Sequence, residues 1–341
     1  MTVMNSLPWK RMKQDKLMDL TISRLGLTIA GSALEPLIAR LYSELEAKGL
    51  SFKPPCFLAD EWFCPVGVPA IGIPFYLSHP RLRRLEKEMI LEVEGGSTTE
   101  FLRLMRHETG HAYSYAYGLY RKSAWRKIFG SASMEYPDTY HPRPYSRSYV
   151  VHLENWYAQS HPDEDFAETF AVWLTPGLNW RKKYKDWKAL EKLEFVDKLM
   201  KSLHGKAPSC LPPQDFKEFA GLDMKLKTYF RKKMKAYEEE YPHFYDRDLR
   251  LLFTDKDEEK SAVKAVDYLK KSREKLMRAV AFWTKEKRYT IDQLMQRFIA
   301  RTGELGLYVR EGQLNTDMQA AAFVTTLVST YLFTGKFKRS K

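Results

Sequence analysis

His107-Glu108-Thr109-Gly110-His111 is the stretch whose reading decides this chain. On a helix of 3.6 residues per turn, two histidines four apart project from one face and can grip a single metal ion. Glu108 sits beside them, placed to take a proton from a metal-activated water. The alternative is two ordinary histidines on a surface helix, and the flanking residues count against it. Gly95-Gly96 breaks the preceding segment, and Ser97 with Glu100 three residues on forms a capping box. Phe101, Leu102, Leu104, Met105, Ala112, Tyr113 and Ala116 supply buried surface, and Gly118 is the predicted stop. Gly110 costs about 1 kcal/mol of helix stability relative to Ala, which points to close backbone approach at that position.

Zinc in a hydrolase commonly takes three protein ligands and leaves a fourth position to water. Candidates for the third lie in His161-Pro162-Asp163-Glu164-Asp165-Phe166-Ala167-Glu168-Thr169-Phe170. Pro162 suits a first helical turn, and the three acids after it match the positive end of the helix dipole. Glu164 and Glu168 share a face at i, i+4, while Phe166, Phe170 and Trp173 can pack inward. Dipole-matched surface charge is the bland alternative for these acids. His161 is read as a helix-entry residue in preference to an added electrophile.

Together, H-E-x-x-H, a later tyrosine and E-x-F-A-E-x-F resemble the glutamate-type zinc peptidases (gluzincins), locally the catalytic core of lethal-factor-type metallopeptidases. More broadly, residues 106–111 and 156–174 resemble a bacterial family described as putative zinc-binding metallopeptidases, as do residues 73–77 and 180–184. The likeness spans roughly residues 50 to 200. It implies an α+β, zincin-like core with a small sheet and two metal-binding helices; the helical C-terminal region that follows lies outside the likeness and is read from its own periodicity. By position it makes Glu164 the third zinc ligand, and Glu168 the hydrogen-bond partner of a ligand histidine. Tyr157, seven residues before Glu164, becomes a phenol near the metal-activated water. Glu168 as the ligand is the alternative register, with Asp165 behind it.

The chain has 341 residues and a formal charge of +13, with 44% hydrophobic and 14% aromatic residues, enough for two domains or one large one. Cys56, Cys64 and Cys210 match neither a disulfide framework nor a C-x-x-C zinc site and read as reduced thiols of a cytoplasmic protein. Residues 1–19 lack the apolar run of a signal peptide. The apolar stretch 320–333 is too short and threonine-rich to span a bilayer and reads as a buried helix. Residues 205–341 hold 28 Lys and Arg against 19 Asp and Glu, so the basic excess is concentrated there. Those lysines alternate with acids on helical patterns, which marks solvated faces, and no nucleic-acid motif accompanies them.

Residues 20–48 read as helical, with an amphipathic pattern over 34–48. Residues 70–77 read as a strand of an antiparallel or mixed sheet, demoted to an edge by Pro74 and able to pair with extended substrate backbone. Residues 81–94 suit helix or strand. The Tyr- and Arg-rich stretch 136–145 suits either a cleft wall or a proline-braced surface loop. Residues 180–200 read as one helix. The expected division is a peptidase domain at 1–204, a proline-rich linker at 205–213, and a helical region at 214–341 with helices at 216–241, 257–287, 290–302 and 314–333.

The function expected from these observations is zinc-dependent hydrolysis of peptide bonds, with a peptide or protein as substrate. His107, His111 and Glu164 would hold zinc, Glu108 would serve as general base, and Tyr157 would face the developing oxyanion. Three alternatives stay open: an amidase acting on a small peptide, isopeptide or other amide; a basic regulator binding nucleic acid or a protein; and an inactive, metal-stabilised module.

Overall fold

The structure is a computed structural model and describes residues 8–137, 142–237, 245–255, 263–310 and 316–334. Parts of the predicted loop at 136–145 and of the predicted helices at 216–241, 257–287 and 314–333 lie outside those residues. The chain divides into two compact units, Met1–Met89 with Val93–Phe230, and Ile90–Glu92 with Arg231–Lys341.

The first unit is mostly helical with a small sheet. Its helices are α1 (Gln14–Met18), α2 (Leu34–Ala47), α3 (Pro80–Ile90), α4 (Thr98–Ala116), α5 (Ser123–Phe129), α6 (Pro162–Leu174), α7 (Trp180–Lys183) and α8 (Ala189–Lys201). The strands β1 (Cys56–Ala59) and β2 (Ile71–Pro74) pair in parallel, Cys56 opposite Ile71 and Ala59 opposite Pro74. The two-stranded ladder is parallel, where an antiparallel or mixed sheet was expected. The eleven residues between the strands run as a crossover, which a parallel pair requires and a hairpin does not. Phe63 adds one antiparallel bridge to Gly72.

The strand expected over 70–77 stops at Pro74, which has no N–H to continue a ladder, and Phe75–Ser78 coil into a 3₁₀ turn. All four residues of β2 are buried. Phe63 and Gly72 exchange backbone hydrogen bonds, so the sheet edge is already occupied there. The ambiguous segment after it is helical, as α3. The single helix expected over 180–200 is broken between α7 and α8, where Asp186 adopts a left-handed φ of 65°.

α4 forms as its termini dictate. The Ser97 side chain accepts the Glu100 N–H at 3.2 Å, and the chain leaves past Gly118 at φ 57°. From Phe101 to Ala116 all but Arg103 are buried. A helix covered almost all round is a core helix, and α4 is held from several sides. Arg106 forms a buried bidentate pair with Glu44 of α2 at 2.7 and 2.8 Å, and the Tyr113 phenol donates to the Phe52 carbonyl at 2.6 Å.

Against α6 the contact is closest at Gly110. A Cβ there would stand 2.8 Å from Ala167 Cα and 3.1 Å from Ala167 O, so the helices cross backbone to backbone. Tyr113 stacks on Phe170, and Phe166 packs against Trp125 and Phe129 of α5. The proline-rich stretch 205–213 also lies in this unit, where the Ser209 and Cys210 N–H groups both donate to the Ala116 carbonyl. After it, α9 (Leu226–Ala236) carries the chain from the first unit into the second.

The second unit is built from α10 (Asp246–Leu252), α11 (Ala265–Thr284), α12 (Arg288–Glu304) and α13 (Thr316–Thr334). Leu249, Leu276, Val280, Leu294, Phe298 and Val324 form its core. Among the described residues no helix is long and apolar enough to cross a membrane.

Candidate metal centre

The crossing at Gly110 decides what faces what. It sets the His107–His111 face of α4 against the Glu164–Glu168 face of α6. His107 Nε2 lies 3.0 Å from Glu164 Oε2, His111 Nε2 lies 3.3 Å from the same oxygen, and the two Nε2 atoms are 3.2 Å apart. Donor atoms around a tetrahedral zinc at ~2.0–2.1 Å stand about 3.3 Å from one another. This near-equilateral triangle of two imidazole nitrogens and one carboxylate oxygen has the dimensions of one face of a zinc tetrahedron and could hold such an ion. The donor set suits that ion, and all three residues are buried.

Glu168 lies on the far side of His107. Its Oε1 is 2.8 Å from His107 Nδ1, and its Oε2 accepts the Leu153 N–H at 2.7 Å. With Nδ1–H donating to a carboxylate, loss of the other ring proton to an incoming metal would leave the Nε2 lone pair facing the shared point. The two glutamates thus occupy opposite ring nitrogens of one histidine, as their one-turn spacing allows. Asp165, the remaining alternative, turns away to Lys192 Nζ at 2.6 Å.

Electrostatics follow from the packing. Burial alone would raise the Glu164 carboxyl, but His111 and His107 outweigh it and hold the group well below the carboxylate range. Burial alone would lower His107, and hydrogen bonds to Glu164 and Glu168 reverse that and raise it well above an ordinary imidazole. Glu108, also buried, is pushed upward by desolvation, with His107 and His111 pulling the other way. It accepts no hydrogen bond from the described residues, so its carboxylate is not spent on structure as those of Glu164 and Glu168 are.

His161 is the N-cap of α6, accepting the Asp163 N–H at Nδ1 over 3.1 Å. Its other nitrogen, Nε2, therefore carries the proton and donates to the Met134 carbonyl at 2.8 Å. It is a helix-entry residue, as expected. Tyr157 brings its ring within 5.7 Å of the His107 ring, centroid to centroid. The turn that delivers it is bent, because Asn155 and Trp156 both take left-handed conformations at φ 56° and 52°. Such residues cost about 1–2 kcal/mol each, an expense typical of segments held in place by their surroundings.

Residues 97–177 match the profile of a family described as putative zinc-binding metallo-peptidase. The matched residues run from the cap of α4 to just past α6, and so contain the whole donor triangle together with Glu108, Tyr157 and Glu168. Residues 73–77 and 180–184, which also carried the resemblance, fall outside the match. Searches for similar curated proteins and for similar solved structures found no match.

One residue of the site went unrecognised in the sequence. The Tyr136 phenol donates to Glu164 Oε1 at 2.8 Å, and its ring stacks on His161 with centroids 3.8 Å apart and planes 12° apart. Burial of its hydroxyl end and the Glu164 carboxylate push the phenol far above its ordinary range, so it stays a donor. Tyr136 precedes Glu164 by 28 residues, and no local periodicity links the two.

Proposed function

We propose that this chain is a zinc-dependent hydrolase of peptide amide bonds, with its chemistry in the first unit on a zincin-like arrangement of α4 and α6. The observation that carries this reading is the donor triangle of His107, His111 and Glu164 with the buried carboxylate of Glu108 beside it. Zinc held there would supply Lewis acidity, polarising the scissile carbonyl and bringing the pKa of water towards ~7.

The protein's own groups divide the remaining work. Glu108 takes the proton of the attacking water and returns it to the leaving amine, and burial, by raising its proton affinity, brings it nearer to the solution pH. Glu168 fixes the tautomer and the ring plane of His107. Tyr157, beside His107, offers a phenol to the oxyanion as charge develops on the carbonyl.

The substrate we favour is a peptide. One observation favours the alternative, an amidase acting on a small peptide, isopeptide or other amide. Strand β2 is buried and its backbone at Gly72 is already paired with Phe63, so it offers no free edge there to extended substrate.

The test is a profile of zinc-loaded protein on short peptides, isopeptides and folded or denatured proteins, beside the Glu108→Gln variant. Glu108→Gln should retain zinc and fold while turnover falls by about 10²-fold or more. Turnover near wild type in that variant would remove the mechanism. Cleavage of proteins but not of short amides would remove the amidase alternative alone.

A further inference from the structure

The Glu164 carboxylate has two oxygens and only one faces the histidines. Oε2 lies 3.0 and 3.3 Å from the two Nε2 atoms, while Oε1 accepts the Tyr136 phenol at 2.8 Å. A carboxylate with a free second oxygen can rotate and bind a metal through both, which changes the coordination number and the room left for water. We propose that Tyr136 is a positioning residue that holds Glu164 to a single metal-facing oxygen, leaving the remaining coordination position to water or substrate. The inference rests on the reading of His107, His111 and Glu164 as a zinc centre.

Three observations separate this role from ordinary packing. First, Tyr136 is 53% exposed, so its ring contributes little to the core, yet its hydroxyl is aimed at the one ligand whose second oxygen is otherwise unused. Second, its placement is set by the start of the helix that carries Glu164. His161 caps that helix with one ring nitrogen, ties down the Met134 carbonyl with the other, and presents its face to the Tyr136 ring. The phenol is thus referenced to the same turn as the carboxylate it holds.

Third, the loop is steered there from its origin. Gly130 ends α5 at φ 112°, where side chains other than glycine's are strained, and a Cβ on it would come within 3.2 Å of Pro162 in the first turn of α6. The arrangement parallels the Glu168–His107 contact. Each of these two ligands has its non-ligating atom engaged by a separate side chain, which is how protein metal sites fix ligand orientation.

The test uses the full chain, stripped of metal, as wild type and as Tyr136→Phe. Zinc affinity is measured by competition with a chromogenic chelator, and cobalt(II) is substituted to read ligand geometry from its visible absorption. Thermal unfolding without metal provides the structural control. The expectation is a zinc affinity weaker by roughly 10–100-fold in Tyr136→Phe. The cobalt spectrum should shift towards the weaker bands of higher coordination, and the metal-free melting temperature should match wild type.

Affinity within twofold of wild type, or an unchanged cobalt spectrum, would overturn the assignment. So would a loss of affinity matched by a lower metal-free melting temperature, which would make Tyr136 a folding residue. If wild type itself takes up no zinc at the site, the metal-centre reading falls and this inference falls with it. Zinc bound equally by both proteins removes the inference alone.

Discussion

Gly110→Ala sets two magnitudes of opposite sign against each other. In an isolated helix the substitution is favourable by about 1 kcal/mol, because alanine loses less conformational freedom than glycine. Here the added Cβ would meet Ala167 Cα at 2.8 Å, Ala167 O at 3.1 Å and Ala167 Cβ at 3.3 Å. Carbon atoms in contact rest at ~3.5–4.0 Å, so the two backbones must part by roughly 0.7–1.2 Å. Neither can yield by a rotamer change, since the first two atoms belong to a helix backbone.

Overpacking of this kind costs about 1–3 kcal/mol, so the net effect is a destabilisation of up to about 2 kcal/mol. Over a unit of this size that lowers the melting temperature by up to roughly 8 °C. The consequence for the site is larger. The same displacement separates His107 and His111 from Glu164, whose donor atoms now stand 3.0–3.3 Å apart, while metal–ligand distances tolerate only about 0.2 Å. Zinc affinity should fall by at least about tenfold, which corresponds to 1.4 kcal/mol. Melting curves with and without zinc, combined with chelator competition, measure both effects. A Gly110→Ala protein more stable than wild type by about 1 kcal/mol, binding zinc unchanged, would refute the close crossing.

Two further outcomes follow from the structure. Wild type should bind about one zinc per chain; Glu164→Gln should lose most of that affinity, and Glu168→Gln should lose roughly 10–100-fold through misorientation of His107. Chelator titration checks the order, and a greater loss from Glu168→Gln would exchange the two roles. In Asp197, burial raises the carboxyl, but hydrogen bonds from Trp173, Lys201 and Arg181 outweigh it and hold the group at about 2 against an ordinary 3.8. A depressed folded-state value means the stabilisation is complete above the unfolded value of 3.8 and is lost as pH falls towards about 2. Discounted for partial solvent screening, it is worth about 1 kcal/mol, and Asp197→Asn should flatten the acid limb of stability against pH by that amount. An unchanged acid limb in urea titrations would contradict the assignment.

Local chemistry was legible without coordinates. The Ser97 cap, the Gly118 stop, the Pro162 first turn and the i, i+4 pairs each depend on residues within a turn or two of one another, and each appears in the structure as its residues dictate. The cost of Gly110 marked the helix crossing, because a glycine inside a helix is destabilising unless something occupies the missing Cβ. What no local pattern could supply were the pairings between distant segments. The parallel β1–β2 register depends on how the chain crosses over between the strands, and hydrophobic alternation is the same in either direction. The Arg106–Glu44 pair, the Leu153 N–H on Glu168 and the Tyr136 phenol on Glu164 join residues 62, 15 and 28 positions apart. Helical periodicity names the face a side chain occupies but not what is brought against that face. The paired histidines could therefore be read from spacing and the order of Glu164 and Glu168 only from a resemblance, whereas the Leu153 and Tyr136 contacts that hold the two glutamates were decided by tertiary packing.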